Sequence, residues 1–575
     1  MRKSFSDQMR LDCEAVPSVT LNLNCRDEIV PVLLGLQYIY EQHQLRDEIL
    51  GLVAEDVNED SRTDCGREGL DYWHIAVLAA VRLGCNLDYD KLQDLAEQHR
   101  AMRQVMGVGD WQEQIDFNWR RIRDNVNLLQ PATIESISHH IVDEAYRLNP
   151  DAAKKQRGDS FVVETDIHYP TESSLIVDGS RKIIELCVKL SEAYDITGWR
   201  QHEHLLKKVK QVARQIARIG ARKGAGYKDR LAKQYRKLLV RAESILSRST
   251  QTCETLENDY ELDIQTVVQI ADIKLFIERT QQVCGTARRR VLEGETVPNE
   301  DKLFSIFEPH TQLYRRGKAG QPNQFGRLVL IYEDANGFIS HHYVMPRDAQ
   351  DRDVAVEQTR KLQERLNHRI EEVSLDRGFH SPENQEQLAK VVPNVCLPKP
   401  GSKQTVEQEK TASVKFHQAK QRHSGVESAI GALQSGNGLV RCRDVGEVGF
   451  ERYVALAVLG RNVHALGKML IAQMEPKAAA ATSKRAAAYS IGRGNLFGND
   501  LLACCLAFQF GAHEKYLPAE QHCHRQRDRQ DQITIFWIHA VGPVVILVIL
   551  ISDHSSSGSI RSASIKSVRI TSVRI

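Results

Sequence analysis

The sequence contains no Cys-x-x-Cys pair. Its 12 cysteines lie far apart except for the adjacent Cys504-Cys505, and its opening, Met1 to Arg10, is polar. That spacing offers no disulfide framework and that opening no secretory leader, so reduced thiols in a cytoplasm are the expectation. Net charge is also lacking: 77 Lys and Arg against 75 Asp and Glu leave +2, which by itself implies no polyanion partner. Only the distribution of charge can decide that question. His522, Cys523 and His524 are adjacent rather than spaced to converge on one ion, so no zinc site is expected there. One long apolar run exists, Ile533 to Ile551, close to the ~20 residues that span a bilayer. His539, Gly542 and Pro543 interrupt it and no earlier segment suggests a membrane protein. A membrane partner is therefore not expected, although an anchor is the alternative reading of this run.

What is present is ordinary globular composition, 42% hydrophobic and 26% charged, over 575 residues. At ~150 residues per structural unit, three or four units are expected. From Arg26 to about Leu148 the apolar residues recur at helical spacing, as in Ile29, Val32, Leu33, Leu36 and again in Ile75, Leu78, Ala79, Leu83. Asp60-Ser61, Asp64 and Gly66 mark a loop between two of these helices. After the turn signal Gly107-Val108-Gly109-Asp110 comes Phe117-Asn118-Trp119-Arg120-Arg121-Ile122-Arg123. A helix carrying Arg120, Arg121 and Arg123 after a turn suits a recognition helix in a major groove. The competing reading is a solvated helix face with Phe117 and Trp119 in a core.

At Gly158-Asp159-Ser160-Phe161-Val162-Val163-Glu164-Thr165-Asp166 the pattern changes to strand formers, ended by Tyr169-Pro170. A long helical segment follows, with Ile183, Ile184, Leu186, Cys187 and Leu190 on one face and a break at Thr197-Gly198. Beyond the break the helices are nearly single-signed. Lys207, Lys208, Lys210, Arg214, Arg218, Arg222 and Lys223 are followed by Lys228, Arg230, Lys233, Arg236, Lys237 and Arg241, interleaved with an apolar stripe that includes Val209, Val212 and Ile216. Such a run repels itself unless a polyanion neutralises it, which favours contact with a DNA backbone over a merely solvated face. Trp199 at the break is read as core, with stacking on an unpaired base as the alternative. Strands return with Leu328 to Tyr332 and Phe338 to Val344, joined by Asp334-Ala335-Asn336-Gly337, a hairpin signal. A helix from Asp353 to Leu366 leads to Val373 and Leu375, alternating as a strand does, and Asp376 falls at that strand's carboxyl end before Arg377-Gly378 breaks it. Then Gln421-Arg422-His423-Ser424-Gly425-Val426-Glu427 opens a helix whose apolar stripe is Val426, Ile430 and Leu433, with Glu427 beside it. The helix Phe450 to Leu470 is apolar enough to pack on a sheet.

A strand-end Asp376-Arg377-Gly378-Phe379 followed by a helix-borne His423-Ser424-x-Val426-Glu427-Ser428 resembles the catalytic core of bacterial insertion-sequence transposases of the DDE type, closest to the ISNCY group. Phe325-Gly326, Leu397-Pro398-Lys399-Pro400-Gly401 and Gly438-Leu439-Val440-Arg441-Cys442-Arg443-Asp444 agree with it, and the likeness covers roughly residues 25 to 470. The resemblance implies an all-α N-terminal DNA-binding region (1–150) and an α/β ribonuclease-H-like catalytic core in two parts (151–180 and 301–475). It also implies a basic helical insertion (181–300), and leaves an atypical tail (476–575) that a frameshift or read-through at the element's end would explain. In that family the first catalytic aspartate precedes a short strand and is followed by a hydroxyl residue and, a few positions on, by Glu. Asp159-Ser160 with Glu164 matches, making Asp159 the choice and Asp166 the runner-up.

The implied reaction is phosphodiester cleavage and strand transfer on double-stranded DNA, the element's ends and the target, by a homodimer. Two Mg²⁺ or Mn²⁺ ions would be held by Asp159, Asp376 and Glu427, since magnesium favours a few carboxylates together with substrate oxygens. Arg422 and His423 are candidates for holding a phosphate or orienting Glu427, with a surface pair as the alternative. The related signature Tyr-x-x-Arg-x-x-x-Glu is absent, because His423 stands four before Glu427. Two competing functions remain: a catalytically inactive DNA-binding protein derived from such an element, and a metal-dependent nuclease without strand transfer.

Overall fold

The computed structural model describes residues 11–58, 69–111, 117–315, 322–401, 408, 412–491, 533–537, 544–551 and 569–574. They form two units, 1–485 and 486–575. The loop expected around Asp60 to Gly66 lies outside the described residues, as do His522, Cys523 and His524.

Among its described residues the first unit begins with a short 3-10 helix (Val16–Ser18) and seven α-helices: α1 (Ile29–Glu41), α2 (His43–Asn58), α3 (Tyr72–Gly84), α4 (Tyr89–Gln98), α5 (Arg100–Val105), α6 (Trp119–Val126) and α7 (Pro131–Leu148). Local chemistry starts several of them. Asp71 and Asp88 accept the backbone N–H of His74 (2.7 Å) and Lys91 (2.9 Å), each satisfying an orphan donor at the start of α3 or α4. A seven-stranded sheet follows, with β1 (Lys155–Thr165) at its centre. The expected strand formers Phe161 to Val163 lie within it, but the strand starts six residues earlier. Lys155 to Gly158 are extended by pairing with a distant segment, a signal that local pattern does not carry.

Beside β1 on one side runs β3 (Gln324–Glu333), antiparallel, and β3 is flanked in turn by β2 (Gln312–Tyr314) and β4 (Ile339–Val344). On the other side β5 (Glu372–Leu375) is parallel to β1, and β6 (Asn394–Cys396) is parallel to β5; β7 (Arg441–Cys442) pairs with the far end of β1. The strand order is therefore β4-β3-β1-β5-β6. The β3–β4 hairpin turns where expected: Asp334 accepts the N–H groups of Asn336 (2.8 Å) and Phe338 (3.0 Å), and Gly337 takes φ +86°. Parallel neighbours require crossovers. α12 (Asp351–Arg365) supplies the one into β5 and α13 (Pro382–Val391) the one into β6.

Between β1 and β2 the chain builds α8 (Glu172–Ala193), α9 (His202–Arg222), α10 (Tyr227–Asp259) and α11 (Ile264–Ala287). These helices bury their own core, separate from the one shared by the sheet and the seven N-terminal helices. Gly179 lets α8 and α11 approach closely, since a Cβ there would lie 2.0 Å from Thr280 Oγ1. Trp199 is 3% exposed and donates from Nε1 to Thr252 Oγ1 (3.0 Å), so it is core and offers no stacking platform.

After the sheet come α14 (Val414–His423), α15 (Val426–Ser435) and the long α16 (Glu447–Ile491). The stretch Glu447–Met474 is the one helix long and apolar enough to cross a membrane among the described residues, and 72% of its apolar window is buried inside the fold. It is a core helix. Asn462 on it exchanges hydrogen bonds with the backbone of Ile339 (2.8 and 2.9 Å), tying it to the start of β4. In the second unit, the described parts of the apolar run are two antiparallel strands, Ile533–Trp537 and Val544–Ile551, with Arg569–Arg574 as a third.

Candidate active site

The register of β1 against β5 brings two of the candidate acids together. Arg157 pairs with Ser374 and Gly158 with Leu375, so Asp159 and Asp376 are the next residues along two parallel neighbours. Side chains alternate along a strand. Arg157 and Asp159 therefore share one face of the sheet with Glu372, Ser374 and Asp376, while Gly158 and Ser160 face the other way. Asp159 is half-buried and Asp376, just past the end of β5, is exposed. Ser160, on the opposite face, donates from its hydroxyl to Asp351 at the start of α12 (2.5 Å).

The face with the acids is covered by the turn between α14 and α15. Arg157 holds it: its Nη1 donates to the Arg422 carbonyl oxygen (2.9 Å), and its Nε donates to the buried carboxylate of Glu333 (2.5 Å). The turn sits so close that a Cβ on Gly425 would lie 2.1 Å from Arg157 Nη1. Two residues later, in the first turn of α15, Glu427 is exposed while Val426, Ala429, Ile430 and Leu433 are buried, matching the stripe read from the sequence. His423 lies near Asp376 and Glu427. Its Nδ1 is 3.3 Å from Ser374 Oγ; burial lowers its pKa, and the negative charges of Asp376 and Glu427 partly oppose that. Asp159, Asp376 and Glu427 thus come from β1, the end of β5 and the start of α15 to one side of the sheet.

Asp166 is elsewhere. It lies 166 − 159 = 7 residues beyond Asp159, past the end of β1, which at ~3.3 Å per residue is about 23 Å away. There it is exposed and 3.5 Å from Arg441, which also reaches Glu164 (3.4 Å). Arg422 has its guanidinium committed to Glu372 on β5, so it fixes α14 to the strand and is not an open phosphate ligand. Arg157 and Glu333 were not singled out in the sequence. Both sit inside strands, and only strand pairing with the covering turn reveals what they hold.

The basic residues fall into two groups. On α6, Arg120 and Arg123 lie against the Trp119 ring (5.1 and 5.3 Å), Arg123 also pairs with Asp124 (2.7 Å), and Arg121 is half-buried. Phe117 is fully buried and Trp119 half-buried, so this short helix is seated on the N-terminal core. On α9 the picture differs. At 100° per residue, Lys207, Lys210, Arg214, Arg218 and Arg222 share one stripe, opposite the buried Val209, Val212 and Ile216. All are exposed except Lys210, which is half-buried. Lys208 lies off to the side, and Lys223 occupies the left-handed turn (φ +37°) before α10. None of these seven makes an ion pair with a described residue.

In chemical terms, three carboxylates on one side of the sheet are hard oxygen donors for divalent cations, and the cationic stripe of α9, without an ion pair to any described residue, suits a polyanion. Comparison with protein families, curated proteins and solved structures yields no match to this chain.

Proposed function

We propose that this chain is a DNA transposase of a bacterial insertion sequence, which cleaves phosphodiester bonds at the element's terminal repeats and joins the 3′-ends to target DNA. The observation that carries the reading is the register that sets Asp159 and Asp376 next to each other on adjacent parallel strands, with Glu427 in the first turn of the helix that follows the turn held to β1 by Arg157. The strand order β4-β3-β1-β5-β6, antiparallel on one side of β1 and parallel on the other, supports a ribonuclease-H-like core, with the four-helix insertion after its first strand. An exposed cationic stripe on that insertion supports a double-stranded DNA partner.

The donor set fits magnesium: three carboxylates, one half-buried and two open to substrate and water, with no soft ligand among them. Asp159, Asp376 and Glu427 would hold the ions. When bound, Mg²⁺ supplies charge stabilisation for the leaving oxygen and eases deprotonation of the attacking water or 3′-hydroxyl. The chain's own groups position the ligands. Arg157 clamps the α14–α15 turn to β1 and so sets where Glu427 stands, Arg422 locks α14 to β5 through Glu372, and His423 lies against Ser374 of β5.

The test is nicking and strand transfer on a labelled duplex bearing the element's end, with binding measured in parallel. Asp376→Asn, Glu427→Gln and Asp159→Asn should each lower cleavage by orders of magnitude while binding survives. Asp166→Asn should cost little. Cleavage without joining would instead make the protein a metal-dependent nuclease, and indifference to all three acids would sink the catalytic reading and leave an element-derived DNA-binding protein.

A further inference from the structure

A second cluster of ligating side chains lies away from the three acids, where α7 meets β4. Glu135 and His139 are one turn apart on α7, and His341 reaches them from β4. Glu135 Oε1 is 3.7 Å from His139 Nε2 and 3.6 Å from His341 Nδ1, and all three ligand atoms lie within 4.8 Å of one another. These separations are too long for hydrogen bonds. His139 Nε2 is buried with no hydrogen-bond partner, which is costly for a polar atom unless something else occupies the space.

We infer that Glu135, His139 and His341 form a zinc site that pins the N-terminal helices to the edge of the sheet. Around tetrahedral Zn²⁺ with bonds of ~2.0–2.1 Å, ligand atoms stand about 3.4 Å apart, so the side chains need close by only a few tenths of an ångström up to about 1.4 Å. The second shell is in place. His341 Nε2 lies 3.0 Å from Gln358 Oε1 on α12, which fixes the tautomer that presents Nδ1 to the ion. The cations whose charge reaches the cluster are committed elsewhere: Arg365 pairs with Asp143 (3.0 Å) and donates to the Ser340 carbonyl (3.2 Å), and Lys361 pairs with Glu357 (2.8 Å). Two imidazoles and one carboxylate select zinc over magnesium and leave a fourth position for water. The site does not depend on the transposase reading, since none of its ligands belongs to the three acids.

The experiment uses the full chain, stripped with a chelator and titrated with Zn²⁺ by calorimetry in millimolar Mg²⁺, with melting temperature followed in parallel. The expected result is one zinc per chain and a melting temperature that rises with zinc. Glu135→Gln and His139→Asn should each weaken binding by more than the roughly 10- to 100-fold typical of losing an outer-shell partner, and His139→Asn with His341→Asn should abolish both the binding and the rise. The triple variant Asp159→Asn, Asp376→Asn, Glu427→Gln should keep the full zinc stoichiometry. Co²⁺ in place of zinc should give the visible bands of a four-coordinate ion without a thiolate charge-transfer band. If the double histidine variant is unstable, Glu135→Gln alone, read as the loss of the zinc-dependent rise, decides the matter. Zinc retained by the histidine variants, a thiolate band, or no stoichiometric zinc would each overturn the proposal.

Discussion

Replacing Lys207, Lys210, Arg214, Arg218 and Arg222 by Gln removes the whole exposed stripe of α9 without touching Val209, Val212 or Ile216 beneath it. From Lys207 to Arg222 is 15 residues, about 22 Å of helix at 1.5 Å each, long enough to follow several phosphates on a duplex. Each phosphate that is no longer neutralised lowers the slope of log K against log salt by ~0.9, so five of them give at most about 4.5. Between 0.1 and 0.2 M salt the wild-type affinity should then fall by up to about 20-fold more than that of the variant. Fluorescence anisotropy on a duplex of arbitrary sequence, over a series of salt concentrations, measures both slopes. A control variant carries Lys361→Gln and Lys390→Gln, lysines already paired with Glu357 and Glu386 (2.8 Å each), which separates contact at the stripe from a general change in charge. An unchanged slope in the five-fold variant, or an equal change per charge in the control, would refute DNA contact through α9 and return it to a solvated face.

Gly425→Ala puts a Cβ in the space of Arg157 Nη1, so the guanidinium must leave the Arg422 carbonyl or the start of α15 must move, and either change frees the α14–α15 turn from its clamp. Cleavage is expected to fall by roughly 100-fold, the cost of about 1 Å of misplacement, with DNA affinity held; unimpaired cleavage would remove Arg157 from its positioning role. Asp334 is buried in the β3–β4 turn and its pKa is pushed up to about 7, mainly by burial. Because the folded value lies above the unfolded one, this carboxylate costs stability above about pH 7, and the cost disappears as pH falls toward 4. Asp334→Asn keeps an acceptor for the turn and should stabilise the protein at pH 8 by on the order of 1–3 kcal/mol but not at pH 4.5, as read by denaturant melts at each pH. Truncation after Arg485, where the first unit ends, should leave the melting temperature and DNA affinity of that unit unchanged and improve solubility; loss of either would give the second unit a structural part.

The sequence alone determined those features that local chemistry writes down. Helical periodicity marked the N-terminal helices and the insertion, Asp334 to Gly337 marked the hairpin, and the alternation of Val373 and Leu375 before Arg377-Gly378 put Asp376 at a strand's end. Strand pairing was not legible, because a strand's partners are set by residues hundreds of positions away. Only the register of Gly158 with Leu375 sets Asp159 beside Asp376 and leaves Asp166 about 23 Å away, past the end of β1. Ion pairing, likewise, had to be decided in three dimensions. The apolar stripe Val209, Val212 and Ile216 already implied an outward basic face, and the tertiary structure adds that Lys207, Lys210, Arg214, Arg218 and Arg222 make no ion pair with a described residue. Arg422, in the sequence a candidate to hold a phosphate or orient Glu427 with a surface pair as the alternative, gains Glu372 as its partner only in the tertiary structure. For Glu135, His139 and His341, a helix pair and a strand residue separated by about 200 positions meet only because α7 packs against β4, a contact made by the shared core rather than by any local signal.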